Sequence, residues 1–251
     1  MLQGWIIGLS FVIGAIVLGY VPAQLLRKRF GPKQPGDTRA LSSEVIGRIG
    51  VLHGLILALV FANAQGGMQQ LRGDIKVEAS AIDHVYYNAQ RYGATQLQAA
   101  SVAYIETVIG KDWPSLQTQR KLSDEGWVAW REVLEASLAL QPETRRERLL
   151  AAQIQADIWE IEKLRQARGY EADHALPREF WLLAIAGLVL ISLLLFVHEI
   201  TPLHQGMMAL YSGYTGLALF MIYDLSHPFG GAMQIGPDAF LASLQSIRSG
   251  I

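Results

Sequence analysis

The chain of 251 residues is 51% hydrophobic and only 17% charged, with 21 Lys and Arg against 22 Asp and Glu. So little charge argues against an ordinary soluble domain, which carries about 25%, and the even balance excludes a strongly basic nucleic-acid binder. No cysteine is present, which excludes disulfides, zinc-thiolate sites, iron–sulfur clusters and thiol chemistry.

The charges are unevenly spread: none falls in residues 1–26, 180–197 or 200–223. A helix crossing a bilayer core needs about 20 apolar residues. Four segments supply them, at residues 5–26, 45–65, 180–197 and 206–223. Trp5, Tyr20, Trp181 and Tyr223 stand near their ends, where amphipathic rings prefer the headgroup layer. The first segment reads as a retained helix, because residues 1–3 carry no basic side chain and the apolar run is too long for a signal core. The expected fold class is all-α, an integral membrane protein with four transmembrane helices. Residues 1–65 hold helices one and two with a basic connecting loop, and 180–224 hold helices three and four. Residues 66–179 form a helical extramembrane domain between them, and 225–251 a fold-back tail.

The first connection carries Arg27, Lys28, Arg29, Lys33 and Arg39, whereas residues 198–205 carry no Lys or Arg. Short loops rich in Lys and Arg stay in the cytoplasm. The first loop is therefore expected there, with both termini and residues 66–179 outside. Residues 31–36, GPKQPG, read as a turn-rich loop.

The polar middle reads as helical. Apolar residues recur at helical spacing in Val77, Ile82 and Val85; in Leu97, Tyr104 and Val108; in Trp127, Trp130, Leu134 and Leu138; and from Leu150 to Leu164. Pro114 and Pro142 mark boundaries. Trp113, Trp127, Trp130 and Trp159 supply apolar mass for a small bundle.

On the second membrane helix, Gly47, Gly50, Gly54, Phe61 and Gln65 fall within about 60° of one another at 100° per residue. The stripe has two readings. Gly50 and Gly54 serve close helix packing as a small-xxx-small pair. Alternatively the stripe lines a pathway in an oligomer, with Phe61 as an apolar constriction and Gln65 at a mouth. Arg48 can pair with Glu44 one turn earlier, and His53 is expected neutral and hydrogen-bonded. His198, Glu199 and His204 lack the H-E-x-x-H spacing of a zinc protease. G-x-S-x-G, P-loop and dinucleotide patterns do not occur either. The expectation is a non-enzyme with no catalytic residue, metal or cofactor.

The end of the fourth helix is the most distinctive stretch: Asp224, Pro228, Phe229 and Gly231, followed by Ile235, Pro237 and Phe240. Pro228 is expected just past the helix end, with amides of the following turn compensating the Asp224 carboxylate. This spacing resembles the C-terminal signature of the bestrophin-like domain family of bacterial membrane proteins. Glu78 with Ala79 is similar to that family's acidic-alanine pair. Tyr104 followed by Asp112, Trp113 and Pro114 is similar to its aromatic-acidic-Trp-Pro motif, with Asp112 where Glu is expected. Arg165 and Arg168, then Leu176, Pro177 and Trp181, resemble its basic stretch leading into the third membrane helix.

The resemblance implies kinship with bestrophins, which are pentameric anion channels with four membrane helices per subunit and a pore lined by the second. It also implies cytoplasmic termini, opposite to the Lys and Arg count. Two functions follow as expectations. One is an oligomeric, channel-like protein passing small ions, with anions as the class the resemblance implies. The other is a non-conducting membrane scaffold or sensor whose helical domain binds a partner. Expected partners are membrane lipid, further copies of the chain and small ions, and no nucleic acid. The expected location is a bacterial inner membrane, crossed several times.

Overall fold

A computed structural model describes residues 2–31, 36–173, 176–199 and 201–250, with side chains from residue 4 onward. Every regular element among them is helical. The α-helices are α1 (Leu2–Phe30), α2 (Gly36–Tyr92), α3 (Thr95–Thr107), α4 (Trp113–Gln119), α5 (Asp124–Leu138), α6 (Arg145–Asp173), α7 (Arg178–Leu194), α8 (Pro202–Leu225) and α9 (Asp238–Ser249). A π-helical turn, Val108–Asp112, joins α3 to α4, and a 3-10 turn, Leu195–Val197, follows α7. Of the loop expected at residues 31–36, positions 32–35, Lys33 included, lie outside the described residues. Gly31 closes α1: its φ of 81° suits a residue without Cβ, and its N–H donates to the Arg27 carbonyl at 2.9 Å.

The chain divides into two compact units, one of Met1–Gly66 with Ala175–Ser226 and one of Gly67–His174 with His227–Ile251. Helix α2 contributes to both.

In the first unit, α1 lies along α8 at backbone distance. A Cβ on Gly216 would stand 2.7 Å from the Phe11 carbonyl oxygen and 2.8 Å from Val12 Cα, and one on Gly19 would meet Ser212. Small residues bring membrane helices this close. The Ser192 hydroxyl of α7 donates to the Gly19 carbonyl. Leu57, Phe180, Ala184, Leu219 and Ile222 form a core cluster, with Phe11, Phe61 and Trp181 partly buried against it.

Three stretches among the described residues are long and apolar enough to cross a membrane: Gly4–Phe30, Gly36–Tyr92 and Arg145–Val197. Helix α8, which carries the fourth expected span, is not among them. Ser212, Gly213, Tyr214, Thr215 and Gly216 interrupt its apolar run.

The second unit is a helical bundle. Ile154, Ile158, Ile161 and Leu164 bury one face of α6. On α5 the buried face is turned from the expected one. Gly126, Ala129, Val133, Ala136 and Ser137 face inward, while Leu138 is exposed. Small residues win this face because α3 packs closely on α5. The C-terminal tail holds a helix that the sequence reading did not anticipate: α9 buries Phe240, Ser243 and Ile247.

Candidate functional site

The α2 stripe opens outward. A Cβ on Gly47, Gly50 or Gly54 would meet no atom within 4 Å, so these glycines serve no close packing inside the chain. Helix packing of that kind falls instead to Gly19 and Gly216. Only 11% of the most apolar window of α2 is buried, and Val51, Leu52, Leu55 and Leu59 are exposed. Gly50, Gly54 and Phe61 line one groove, of about 450 Å³, with His53, Tyr211 and Tyr214. Gly47 and Gln65 are exposed outside it. Phe61 is half-buried against the core cluster, so it is a wall of the groove rather than a free side chain.

His53 is buried and fixed in one tautomer. Its Nε2 lies 3.0 Å from the Ala184 carbonyl, which can only accept, so Nε2 carries the proton. That leaves Nδ1 to accept from the Tyr211 hydroxyl at 3.3 Å. The ring rests where Gly187 lacks a Cβ; one there would stand 2.6 Å from His53 Cδ2. Arg48 pairs with Glu44, as the spacing suggests.

The second unit contains a buried charge network. On α6, Arg165 and Arg168 fall in the same sector as Ile154, Ile158 and Ile161, about 80° wide at 100° per residue. Both arginines are fully buried, as are Glu78 of α2 and Asp112. Arg168 donates from Nε and Nη2 to the two Glu78 carboxylate oxygens, each at 3.0 Å, and from Nη2 to Asp112 at 3.3 Å. Arg165 forks onto both Asp112 oxygens. The Tyr104 hydroxyl donates to Glu78 at 2.7 Å. The π-helical turn sets Asp112 in place: the Trp113 N–H reaches back five residues to the Val108 carbonyl, shifting the helix phase so that Val108 and Asp112 both point inward. Ser123, the N-cap of α5, donates to Asp112 from its N–H at 3.0 Å and its hydroxyl at 2.7 Å. Gly126 makes room, since a Cβ there would stand 2.3 Å from both Arg165 Nη2 and Asp112 Oδ1.

Two arginines against two carboxylates bring the network close to neutrality, which is what makes such burial affordable. Burial alone would raise the Asp112 carboxyl. The Arg165 hydrogen bonds and the charges of Arg168 and Arg165 outweigh it and hold Asp112 below its ordinary value. Burial, then the Glu78 charge, pushes the Tyr104 phenol well up, so it stays a donor.

Trp113 ties this network to the C-terminal residues. It is 2% exposed. Its Nε1–H donates to the Ile235 carbonyl at 3.1 Å, and its ring meets Phe229 and Phe240 edge-on at 5.9 and 5.7 Å. The Arg168 guanidinium lies over the Trp113 ring at 5.0 Å. Pro114 stands in the first turn of α4, at the expected boundary. Pro228 is buried past the end of α8, and its carbonyl accepts from the Ile235 N–H at 2.7 Å.

Asp224 is buried in the last turn of α8. In the turn that follows, Ser226 donates to the Ile222 and Tyr223 carbonyls, and Gly230 and Gly231 to that of His227.

The profile of the Bestrophin-like domain matches residues 14–240. The chain belongs to the bestrophin-like domain family. Crystal structures of a bacterial bestrophin homologue from Klebsiella pneumoniae share its fold. One variant superposes with a TM-score of 0.61 at 14% identity, covering 98% of this chain and 97% of the other. The structure phased on zinc gives 0.61 at 12% identity, covering 95% and 96%. A membrane-protein variant gives 0.62 at 13% identity, covering 97% of each chain. Among curated proteins, none matches.

Residues of the second unit that carry the resemblance in sequence converge on one place. Glu78, Asp112, Trp113, Arg168, Phe229 and Phe240, scattered along the sequence, share a buried network. Ser123 and Gly126 complete it and escaped the sequence reading. Arg165 and Arg168 resemble a basic stretch in sequence, and their spacing of three on the face of Ile158 and Ile161 is the signal for burial. No group of three His, Asp or Glu able to hold a metal occurs among the described residues.

Proposed function

We propose that this bestrophin-like protein is an oligomeric, channel-like membrane protein that passes small ions, with anions as the class its kinship implies. The first unit forms the membrane part, spanning with α1, α2, α7 and α8 in a bacterial inner membrane, and the second unit forms the extramembrane part. Gly47, Gly50, Gly54, Phe61 and Gln65 line the pathway.

One observation carries this reading: three glycines within eight residues face open space on the apolar part of α2. Each glycine weakens a helix by about 1 kcal/mol relative to alanine. Lipid contact gains nothing from that cost, whereas close approach of another copy, or a pathway needing width, does. A second reading, a non-conducting scaffold or sensor, is supported by the exposed Leu138, Leu149 and Trp159 of the second unit.

The cysteine-free chain provides a clean test. Single cysteines at Gly47, Gly54 and Gln65, with Leu52 as the control on the opposite face, are reconstituted in liposomes and treated with a charged thiol reagent. Modification of the stripe should reduce ion flux, and modification at Leu52 should not. Phe61→Ala is measured alongside for flux and thermal stability, because Phe61 also packs on the core. Flux no greater than that of empty liposomes, or block independent of position, refutes the channel reading and favours the scaffold.

A further inference from the structure

At one end of the first unit, four elements converge on a small basic cluster. Arg27 comes from the last turns of α1 and Arg39 from the start of α2. His198 and Glu199 follow the 3-10 turn after α7, and His204 lies in the first turn of α8. Hydrogen bonds hold the frame: Arg27 Nε donates to the Phe196 carbonyl at 3.4 Å, and the Ser42 hydroxyl to the Leu194 carbonyl at 2.7 Å. Ser43 Oγ stands 3.5 Å from His198 Nε2. The acidic partner is Glu199, 3.5 Å from Arg39 Nη2 and 67% exposed. Burial first, then the charges of His204, Arg39 and Arg27, holds the His198 imidazole below its ordinary value.

Two donors in this cluster are sealed from solvent without an acceptor: Arg27 Nη2 and Arg39 Nε. A guanidinium donates at every nitrogen and never deprotonates, so a buried N–H of this kind carries the full desolvation penalty. Capping of helix carbonyls accounts for Arg27 Nε and leaves Nη2 unexplained. Each orphan donor lacks an acceptor, and an oxyanion supplies the kind both require. The cluster lies at the ends of apolar helices, at the headgroup level, where basic pockets between membrane helices hold anionic lipid heads.

We propose that Arg27 and Arg39 form a phosphate-binding site, flanked by His198, that takes the phosphate of an anionic lipid headgroup or a free phosphate ion. The phosphate oxygens accept from Arg27 Nη2 and Arg39 Nε, and bidentate arginine geometry suits them better than lysine would. Arg48, already paired with Glu44 and exposed, lies outside the site.

The test uses the full chain in micelles of an uncharged detergent. Thermal unfolding is followed while phosphatidylglycerol, phosphatidylcholine or inorganic phosphate is titrated. Phosphatidylglycerol or inorganic phosphate should raise the melting temperature of the parent and of Arg48→Gln, with phosphatidylcholine much weaker. The apparent affinity should fall roughly tenfold in Arg27→Gln and in Arg39→Gln, and further in the double variant. Protection by the lipid alone identifies the headgroup as the source; equal protection by inorganic phosphate identifies the free ion. Because Arg27→Gln removes a helix-end contact, phospholipid retained on purified Arg27→Lys and Arg39→Gln is also counted by native mass spectrometry, and both should retain less than the parent. Protection of the double variant equal to that of the parent, or no protection of the parent by any phosphate probe, overturns the site.

Discussion

Replacing Arg168 by methionine separates the electrostatic and steric contributions of the buried network. Methionine fills much of the space and keeps contact with Trp113, so the loss falls on charge and hydrogen bonding. Asp112 loses only its 3.3 Å contact and keeps Arg165 and both Ser123 donors. Glu78 loses two 3.0 Å hydrogen bonds and retains the Tyr104 hydroxyl. The cost is therefore that of an orphaned buried carboxylate, about 3–5 kcal/mol. Lost stacking of the guanidinium on Trp113 and Phe240 adds on the order of 1 kcal/mol. For a chain of this size that lowers the melting temperature by on the order of 10 °C, read by near-ultraviolet circular dichroism in micelles. Adding Glu78→Gln neutralises the orphan and keeps an acceptor for Tyr104. The double variant should recover at least about 2 kcal/mol relative to the sum of the single changes. Strict additivity, or an Arg168→Met protein that melts with the parent, refutes the claim that these two charges exist for each other.

Trp113→Ala should destabilise the second unit by about 3–5 kcal/mol, the range for a core aromatic, measured in the same melts. Gly216→Ala should cost about 1–3 kcal/mol, because its Cβ meets α1 backbone that cannot yield, whereas Gly47→Ala, whose Cβ meets nothing within 4 Å, should stabilise the isolated protomer by up to about 1 kcal/mol. Asp157→Asn should stabilise the protein at neutral pH. Burial raises the pKa of this carboxyl above its ordinary 3.8, and its Oδ2 lacks a partner. A raised folded value means that the folded chain binds this proton more tightly than the unfolded chain. The cost is therefore full at neutral pH, and the gain from asparagine should vanish below about pH 4. Reporter fusions after Arg29 and within residues 117–121 should report opposite sides of the membrane, with Arg29 cytoplasmic; a cytoplasmic signal at 117–121 would favour the orientation that bestrophin kinship implies.

The all-helical class, three of the four apolar segments and the helix boundary at Pro114 were legible in the sequence, because bilayer thickness and helical period act on local runs of residues. The pairing of Arg48 with Glu44 was legible for the same reason: four residues along a helix are neighbours whatever surrounds them. Tertiary structure alone decided which glycines pack. Gly50 and Gly54 carry the familiar small-residue spacing yet face open space, while Gly19, four residues from Ala15 and Ala23, and Gly216, four from Ser212, carry the same spacing and meet a neighbouring helix. Spacing describes one helix, and packing depends on where the second one lies. The same limit hid the network around Asp112. Glu78, Ser123, Gly126, Arg165 and Arg168 each look like surface or turn residues in isolation, and their charges are tolerable in the interior only because folding brings opposite signs within hydrogen-bonding distance.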